Sequence, residues 1–344
     1  MTDRQNKILG GLLGGAVGDA MGAATEIRTT EMIKEKFGGL VKSIIQPPED
    51  TYAHWAKAGM VTDDFSVSYF SAEDFLKNGG KITAEVAANA VVRWSEHPLY
   101  SQCAGPTTRA AIARIKGIKL PPDKHDRLLC HNKMASNGAP MKVGCVGLFD
   151  ACQVDKAIDD AIVMCKVTHD NTIALSGAAA IAAATAKAME KRVSYIDVIQ
   201  AGIYGAVEGF KRAEPIARPV AGASVEKRIY RAVDIGIRYQ GDFEKAMDVI
   251  SREIGGGLPA NEAVPAAFGY IAATKGDVMD TIYMAVNAGD DTDTVACMAG
   301  YIVGALNGAD KITSGYLETI EKANGFELRK MAMGIDALLG EEDR

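Results

Sequence analysis

NAGDDTDTVACMAGYIVGALNG fills residues 287–308, and how it is read decides the fold. Asp290, Asp291, Thr292, Asp293 and Thr294 place three carboxylates and two hydroxyls in a row, with TIYMAV before them and VACMAGYIVGAL after. Asp291 to Val295 fits D-x-D-x-[TV], the strand end of a haloacid-dehalogenase-like phosphatase whose first Asp is a nucleophile. That chemistry needs a β-strand early in the chain with a Rossmann-like domain behind it. Here a helical pattern precedes the motif and about fifty residues follow it. A calcium loop starting at Asp291 would want an oxygen ligand at its fifth position, Gly at the sixth and Glu at the twelfth. Val295, Ala296 and Ile302 stand there instead. The remaining reading is an acidic turn that starts a helix.

Working outward, the three-to-four spacing of amphipathic or buried helices recurs through most of the chain. It is plainest at 81–97, 159–167, 172–191, 194–213 and 225–241. Alanine favours helices, and small side chains let them approach closely. Gly10, Gly14, Gly18 and Gly22 repeat every four residues, a small-residue stripe on one side of a helix. Pro, Gly and polar clusters mark loops at 44–59, 118–126, 134–144 and 253–265. No segment resembles a flexible linker. The expectation is an all-α fold, residues 1–344 forming one domain with long functional loops.

Composition narrows the function. With 48% hydrophobic and 24% charged residues the chain reads as globular, and a net charge of −6 argues against nucleic acid as a partner. The six cysteines, Cys103, Cys130, Cys145, Cys152, Cys165 and Cys297, form no C-x-x-C pair and read as reduced thiols. The first residues loosely imitate a signal peptide, but glycines and Asp19 break the apolar run. A cytoplasmic protein without a membrane span is expected.

A second acidic turn lies at GMVTDDFSVSYF (59–70). Neighbouring side chains in one helix point about 100° apart, so Thr62, Asp63 and Asp64 make sense at a helix start, capping the first turn. The same holds for Asp291, Asp293 and Thr294. Either turn alone is an ordinary cap. Together they offer hard oxygen donors without clustered His or Cys, which suits Mg²⁺ or Mn²⁺ better than Zn²⁺. Carboxylates packed among apolar neighbours repel one another, and a divalent cation between the turns relieves that cost.

Five segments then resemble, in order, the signatures of the ADP-ribosylglycohydrolase family. They are ILGGLLGGAVGDAMGAATE (8–26), VTDD (61–64), SNGAPMKV (136–143), VTHDNTIALSGAAA (167–180) and residues 287–308. The resemblance implies an all-α domain with two Mg²⁺ or Mn²⁺ ions in a central cleft. It gives metal-ligand roles to Glu26, Thr62, Asp63, Asp64, Asp291, Asp293 and Thr294, with Glu26 or Asp63 as the catalytic carboxylate. It puts Asn137, Gly138 and Met141 on a loop cradling ribose and phosphate, and His169 near the diphosphate. The chain departs from the family pattern at Phe65 (usually Thr), Lys142 (usually Arg) and Asp290 (usually Gly). The implied activity is hydrolysis at C1 of a ribose, releasing ADP-ribose from an acceptor. A nucleosidase acting on a small free riboside is the alternative, and a non-hydrolysing ADP-ribose binder a third reading.

Overall fold

The computed structural model describes residues 1–100, 102–121 and 135–342. Among them the helices are α1 (Asp3–Gly22), α2 (Thr30–Phe37), α3 (Asp63–Lys77), α4 (Ala84–Ser95) and α5 (Pro106–Ile115). There follow α6 (Gly144–Phe149), α7 (Val154–Lys166), α8 (Thr172–Ala188), α9 (Tyr195–Ala213), α10 (Val225–Arg238) and α11 (Phe243–Glu253). The chain ends with α12 (Ala260–Ala273), α13 (Val278–Asn287), α14 (Thr292–Asn307), α15 (Tyr316–Asn324) and α16 (Leu328–Glu342). No strand occurs among the described residues, only isolated bridges at Ser136–Pro259 and Asn171–Arg218. The fold is all-α.

Side-chain oxygens cap the start of more than half of these helices. Thr2 and Gln5 form a reciprocal capping box on α1, and Thr29, Thr62, Thr83, Asn171 and Ser194 each accept a first-turn N–H. The alanine-rich α8 is buried almost along its whole length, with α7 and α9 packed on it. Its small side chains admit α9 so closely that a Cβ on Gly205 would sit 2.5 Å from the Ala179 carbonyl oxygen.

The glycine stripe serves the pairing that organises the site. Cβ atoms on Gly10, Gly14 and Gly18 would each fall 2.2 Å from the carbonyl oxygens of Gly304, Gly300 and Ala296, and one on Gly22 would fall 2.3 Å from Asp293 Cα. As the numbers rise on α1 they fall on α14, so the helices run antiparallel in backbone contact. The C-terminal end of α1 therefore meets the N-terminal end of α14. No helix is long and apolar enough to cross a membrane among the described residues.

The loop expected at 253–265 is overrun by α12, which starts at Ala260 and carries Pro265 inside it. Proline cannot donate to the carbonyl four residues back. That carbonyl belongs to Asn261 and is satisfied by Arg228 Nη1 at 2.9 Å from α10. A tertiary partner thus permits a helix that local sequence argues against. In the loop expected at 134–144 a single 3₁₀ turn, Pro140–Lys142, intervenes before α6. Of the loop at 118–126, residues 118–121 are non-helical; its remainder and Cys130 lie outside the described residues.

Candidate metal centre

Three helix ends converge: the last turn of α1 and the first turns of α3 and α14. The first turn of α3 is held by Asp19, whose carboxylate accepts the Thr62 N–H at 2.9 Å and the Phe65 N–H at 2.8 Å. Within that turn the Thr62 hydroxyl donates to Asp64 Oδ2 at 2.8 Å, fixing the Asp64 carboxylate. At the other end, Thr292 Oγ1 lies 3.0 Å from both Thr25 Oγ1 and the Gly22 carbonyl, bracing α14 against α1.

Glu26 lies on the loop after α1. Ile27 N–H donates to the Asp290 carbonyl at 2.8 Å, and Asp290 N–H to the Arg28 carbonyl at 2.9 Å. Both Ile27 and Asp290 adopt positive φ (59° and 65°) to make this latch. Arg28 adds a bond to the Glu26 carbonyl at 3.0 Å and an ion pair with Asp50 at 2.6 Å. The extra carboxylate of Asp290 itself points to an exposed rim, beside a cavity of about 720 Å³ lined by Ile27, Arg28, Met32, Ser251 and Gly256.

Two carboxylate groups result. One oxygen from each of Asp19, Asp64 and Asp293 lies within 4.8 Å of the others, and the same holds for Glu26, Asp291 and Asp293. Asp293 belongs to both. Of the carboxylates named from the sequence, Glu26, Asp64, Asp291 and Asp293 come together, and Asp19 joins them. Asp63 falls in neither group and is half-buried beside them. The hydroxyl of Thr62 bonds Asp64, and that of Thr294 lowers the Asp64 pKa from the first turn of α14.

Burial and mutual repulsion disfavour charge on several of these carboxylates. Burial first, then Asp291, pushes the Asp64 carboxyl up to about 7. Burial, then Asp291 and Asp64, pushes Glu26 up to about 8. Asp293 is driven well above the ordinary carboxylate range by burial and Glu26, and Asp63 by burial and Asp64. Asp64 Oδ1 and Asp293 Oδ1 are buried and have no hydrogen-bond partner. Buried carboxylate oxygens are normally satisfied. Two orphaned oxygens within a group of close carboxylates suit hard divalent cations, and the N-terminal ends of α3 and α14 add partial positive charge.

The second wall is the loop before α6. Asn137 N–H bonds the Leu258 carbonyl at 2.8 Å, and Asn137 Nδ2 donates to Asp291 Oδ2 at 2.6 Å. This places the loop directly against the acidic turn. A Cβ on Gly138 would meet His169 Nε2 at 2.8 Å, so only glycine lets the loop lie over that ring. His169 and Met141 are both buried against the loop. Lys142 is also buried; its ammonium donates to Thr168 Oγ1 at 2.6 Å. Phe65 points away from the site into an aromatic cluster, 5.6 Å from the Tyr301 ring and 6.0 Å from Phe326.

Asp19 is the residue that sequence reasoning missed. It appears only as a charge interrupting an apolar helix, and a lone carboxylate on a face otherwise made of glycine and aliphatic residues was the available signal.

The fold is shared with a solved structure described as an ADP-ribosylglycohydrolase-related protein complex, with a TM-score of 0.69 at 21% identity over 98% of this chain and 99% of that one. The fold and family define a glycosidic hydrolase. Residues 1–343 match the family described as ADP-ribosylglycohydrolase, and the chain belongs to it. Over 96% of its length it is 28% identical to the Escherichia coli (strain K12) protein YegU, spanning 97% of that protein. It is 27% identical to the Mus musculus ADP-ribosylhydrolase ARH3 over 203 residues, about half of each chain (56% and 53%).

Proposed function

We propose that the protein hydrolyses the bond between an acceptor and C1 of the ribose in an ADP-ribosyl group, using two Mg²⁺ or Mn²⁺ ions. The observation that carries this reading is the pair of carboxylate groups sharing Asp293, with two orphaned oxygens, set against the Asn137 loop. Glu26, Asp64, Asp291 and Asp293, with the hydroxyls of Thr62 and Thr294, would hold the ions, and Asp63 would contribute from beside them. Asp19 has both oxygens engaged by backbone N–H groups and positions the α3 turn instead. Bound divalent ions would activate a water and stabilise charge developing around the ribose. The Asn137 loop orients the sugar. Glu26, on a latched loop, would take a proton from the water as its oxygen bonds C1 and the bond to the acceptor breaks, and would return that proton to the departing acceptor. On this reading the loop over His169 would meet phosphate oxygens through backbone N–H groups other than those of Asn137 and Met141, which bond carbonyls.

The nucleosidase reading draws on two features. Lys142 is turned inward rather than offered to an anion, and Asp290 adds negative charge at the rim. A screen of ADP-ribosylated peptides against free nucleosides, with and without Mn²⁺, separates the two. ADP-ribose release that requires metal is the expected result. Metal-dependent cleavage of nucleosides alone would replace the proposal with the second reading, and turnover of neither class would reject both.

A further inference from the structure

A buried line of side chains runs behind the Asn137 loop. Lys142 Nζ lies 2.6 Å from Thr168 Oγ1, Thr168 Oγ1 lies 2.8 Å from His169 Nδ1, and His169 Nε2 lies 3.1 Å from Ser136 Oγ. Lys142, Thr168 and His169 are essentially inaccessible, while Ser136 is half-buried next to Asn137. The direction of this chain follows from what each group can donate. Burial lowers the Lys142 pKa; in its ammonium form the side chain has no acceptor, so Thr168 Oγ1 accepts from it. The Thr168 hydrogen then has two candidate acceptors, His169 Nδ1 and the Cys165 carbonyl at 3.4 Å. That carbonyl already receives the N–H groups of Thr168 at 3.0 Å and His169 at 2.8 Å. The hydroxyl therefore donates to Nδ1. Burial, and after it the charge on Lys142, lowers the His169 pKa well below its ordinary value and keeps the ring neutral. A neutral imidazole accepting at Nδ1 carries its hydrogen on Nε2 and donates it to Ser136 Oγ. The Ser136 hydrogen is left over.

We infer that Lys142 is a positioning residue: through Thr168 it locks His169 in the Nε2–H tautomer and leaves the Ser136 hydroxyl as a directed donor to an acceptor oxygen of the ligand. Arg at position 142, a pure donor too, would set the same direction. A residue without a donor there would free Thr168 to point either way, and the imidazole with it. The Ser136 step rests on the reading of the Asn137 loop as a substrate wall; the tautomer does not.

The test uses ¹⁵N-histidine-labelled protein and long-range ¹H–¹⁵N spectra, with His169 assigned by the signals lost in His169→Gln. The wild type should show Nε2–H with Nδ1 as acceptor. Lys142→Met and Thr168→Val should each give a mixed or reversed tautomer, and Lys142→Arg should keep the wild-type pattern. Thr168→Val reads the same link should Lys142→Met fail to fold. A wild-type Nδ1–H signal, or an unchanged pattern in either folded variant that breaks the link, overturns the inference. In calorimetry with ADP-ribose, Ser136→Ala and Lys142→Met should each weaken binding roughly three- to tenfold, the worth of one hydrogen bond. The double variant should lose no more than either alone, and additive losses overturn the coupling. No ADP-ribose binding by the wild type, with the tautomer pattern intact, would instead remove the ADP-ribosyl reading and leave the Lys142 lock standing.

Discussion

Asp19 Oδ2 accepts the backbone N–H of Phe65 at 2.8 Å and ties the last turn of α1 to the first turn of α3. The same carboxylate takes the Thr62 N–H, so a single side chain serves two N–H groups that the start of α3 cannot satisfy itself. Its neighbours Asp64 and Asp293 have the opposite character, with oxygens left without donors. One carboxylate builds the turn, and the others are aimed by it.

Asp19→Ala should therefore destabilise the protein by about 2 kcal/mol, since two buried N–H groups lose their acceptor. Relief of repulsion with Asp64 offsets part of the loss, and Asp19→Asn, which keeps one acceptor oxygen, should cost less than the alanine variant. Denaturant unfolding of the three proteins checks the order. Equal stability of Asp19→Ala and wild type would show that the cap contributes nothing.

The close pairing of α1 and α14 makes a second prediction. A side chain at Gly14 meets the Gly300 carbonyl, backbone that cannot swing aside. Gly14→Val should cost about 3 kcal/mol or more, at the upper end for overpacking. Gly256→Ala is the control: its Cβ would have 3.7 Å to the nearest atom, the Gly289 carbonyl oxygen, and the change should be nearly neutral. Thermal unfolding separates them, and a tolerated Gly14→Val would contradict the geometry.

Metal binding should appear as stability. A ligand at a hundred times its Kd adds about 2.7 kcal/mol to the folded state. Mn²⁺ should raise the wild-type melting temperature in a concentration-dependent manner. Asp291→Asn combined with Asp293→Asn removes carboxylates from both groups while relieving their repulsion. It should abolish the rise without lowering the metal-free melting temperature. An undiminished rise in the double variant would mean the ions bind elsewhere.

The raised carboxyls also set a pH dependence of the metal-free protein. Glu26 and Asp64 titrate at about 8 and about 7 when folded, against roughly 4.3 and 3.9 unfolded. In both the folded state favours the protonated form. Their contribution is fully present below pH about 4, shrinks as pH rises, and is lost above the folded values. Metal-free stability should thus fall between about pH 5 and 8 more steeply in wild type than in Glu26→Gln/Asp64→Asn. Parallel stability profiles for the two proteins would rule out this assignment.

Much of this was legible in the sequence. Helical periodicity gives the fold class, and each Thr-Asp turn announces a helix start rich in hard donors. What the sequence does not carry is which ends meet. The glycine stripe advertises a close partner, but only the antiparallel match of Gly10 to Gly304 and Gly22 to Asp293 shows that the partner is α14. Asp19 was hidden for the same reason, because its partners Thr62 and Phe65 lie more than forty residues away. The start of α12 was missed because Arg228 supplies from α10 the donor that Pro265 lacks. Phe65 and Lys142, read as departures within the site, prove to be buried away from its surface, and no local pattern marks the direction in which a side chain turns.

The last prediction concerns what the site accepts beyond the ribose. If the Asn137 loop binds a diphosphate, ADP-ribose should inhibit far more strongly than AMP, and AMP more strongly than ribose. His169 is buried against the loop, and its ring supports Gly138 and donates toward Ser136. His169→Ala should consequently weaken inhibition by ADP-ribose by roughly tenfold, about the worth of one hydrogen bond and a misplaced loop, and leave that of ribose nearly unchanged. A nucleosidase would behave differently, because a pocket without a diphosphate site gives ADP-ribose no advantage over ribose. The inward turn of Lys142 and the rim charge of Asp290 both withhold help from an anion, which leaves the loop's backbone N–H groups as the source of any selectivity. Inhibition constants for ADP-ribose, AMP and ribose on wild type and His169→Ala make the comparison. Equal and weak inhibition by all three would take the ADP-ribosyl group out of the proposal, whereas a graded series that collapses in the variant would tie the selectivity to the loop that His169 supports.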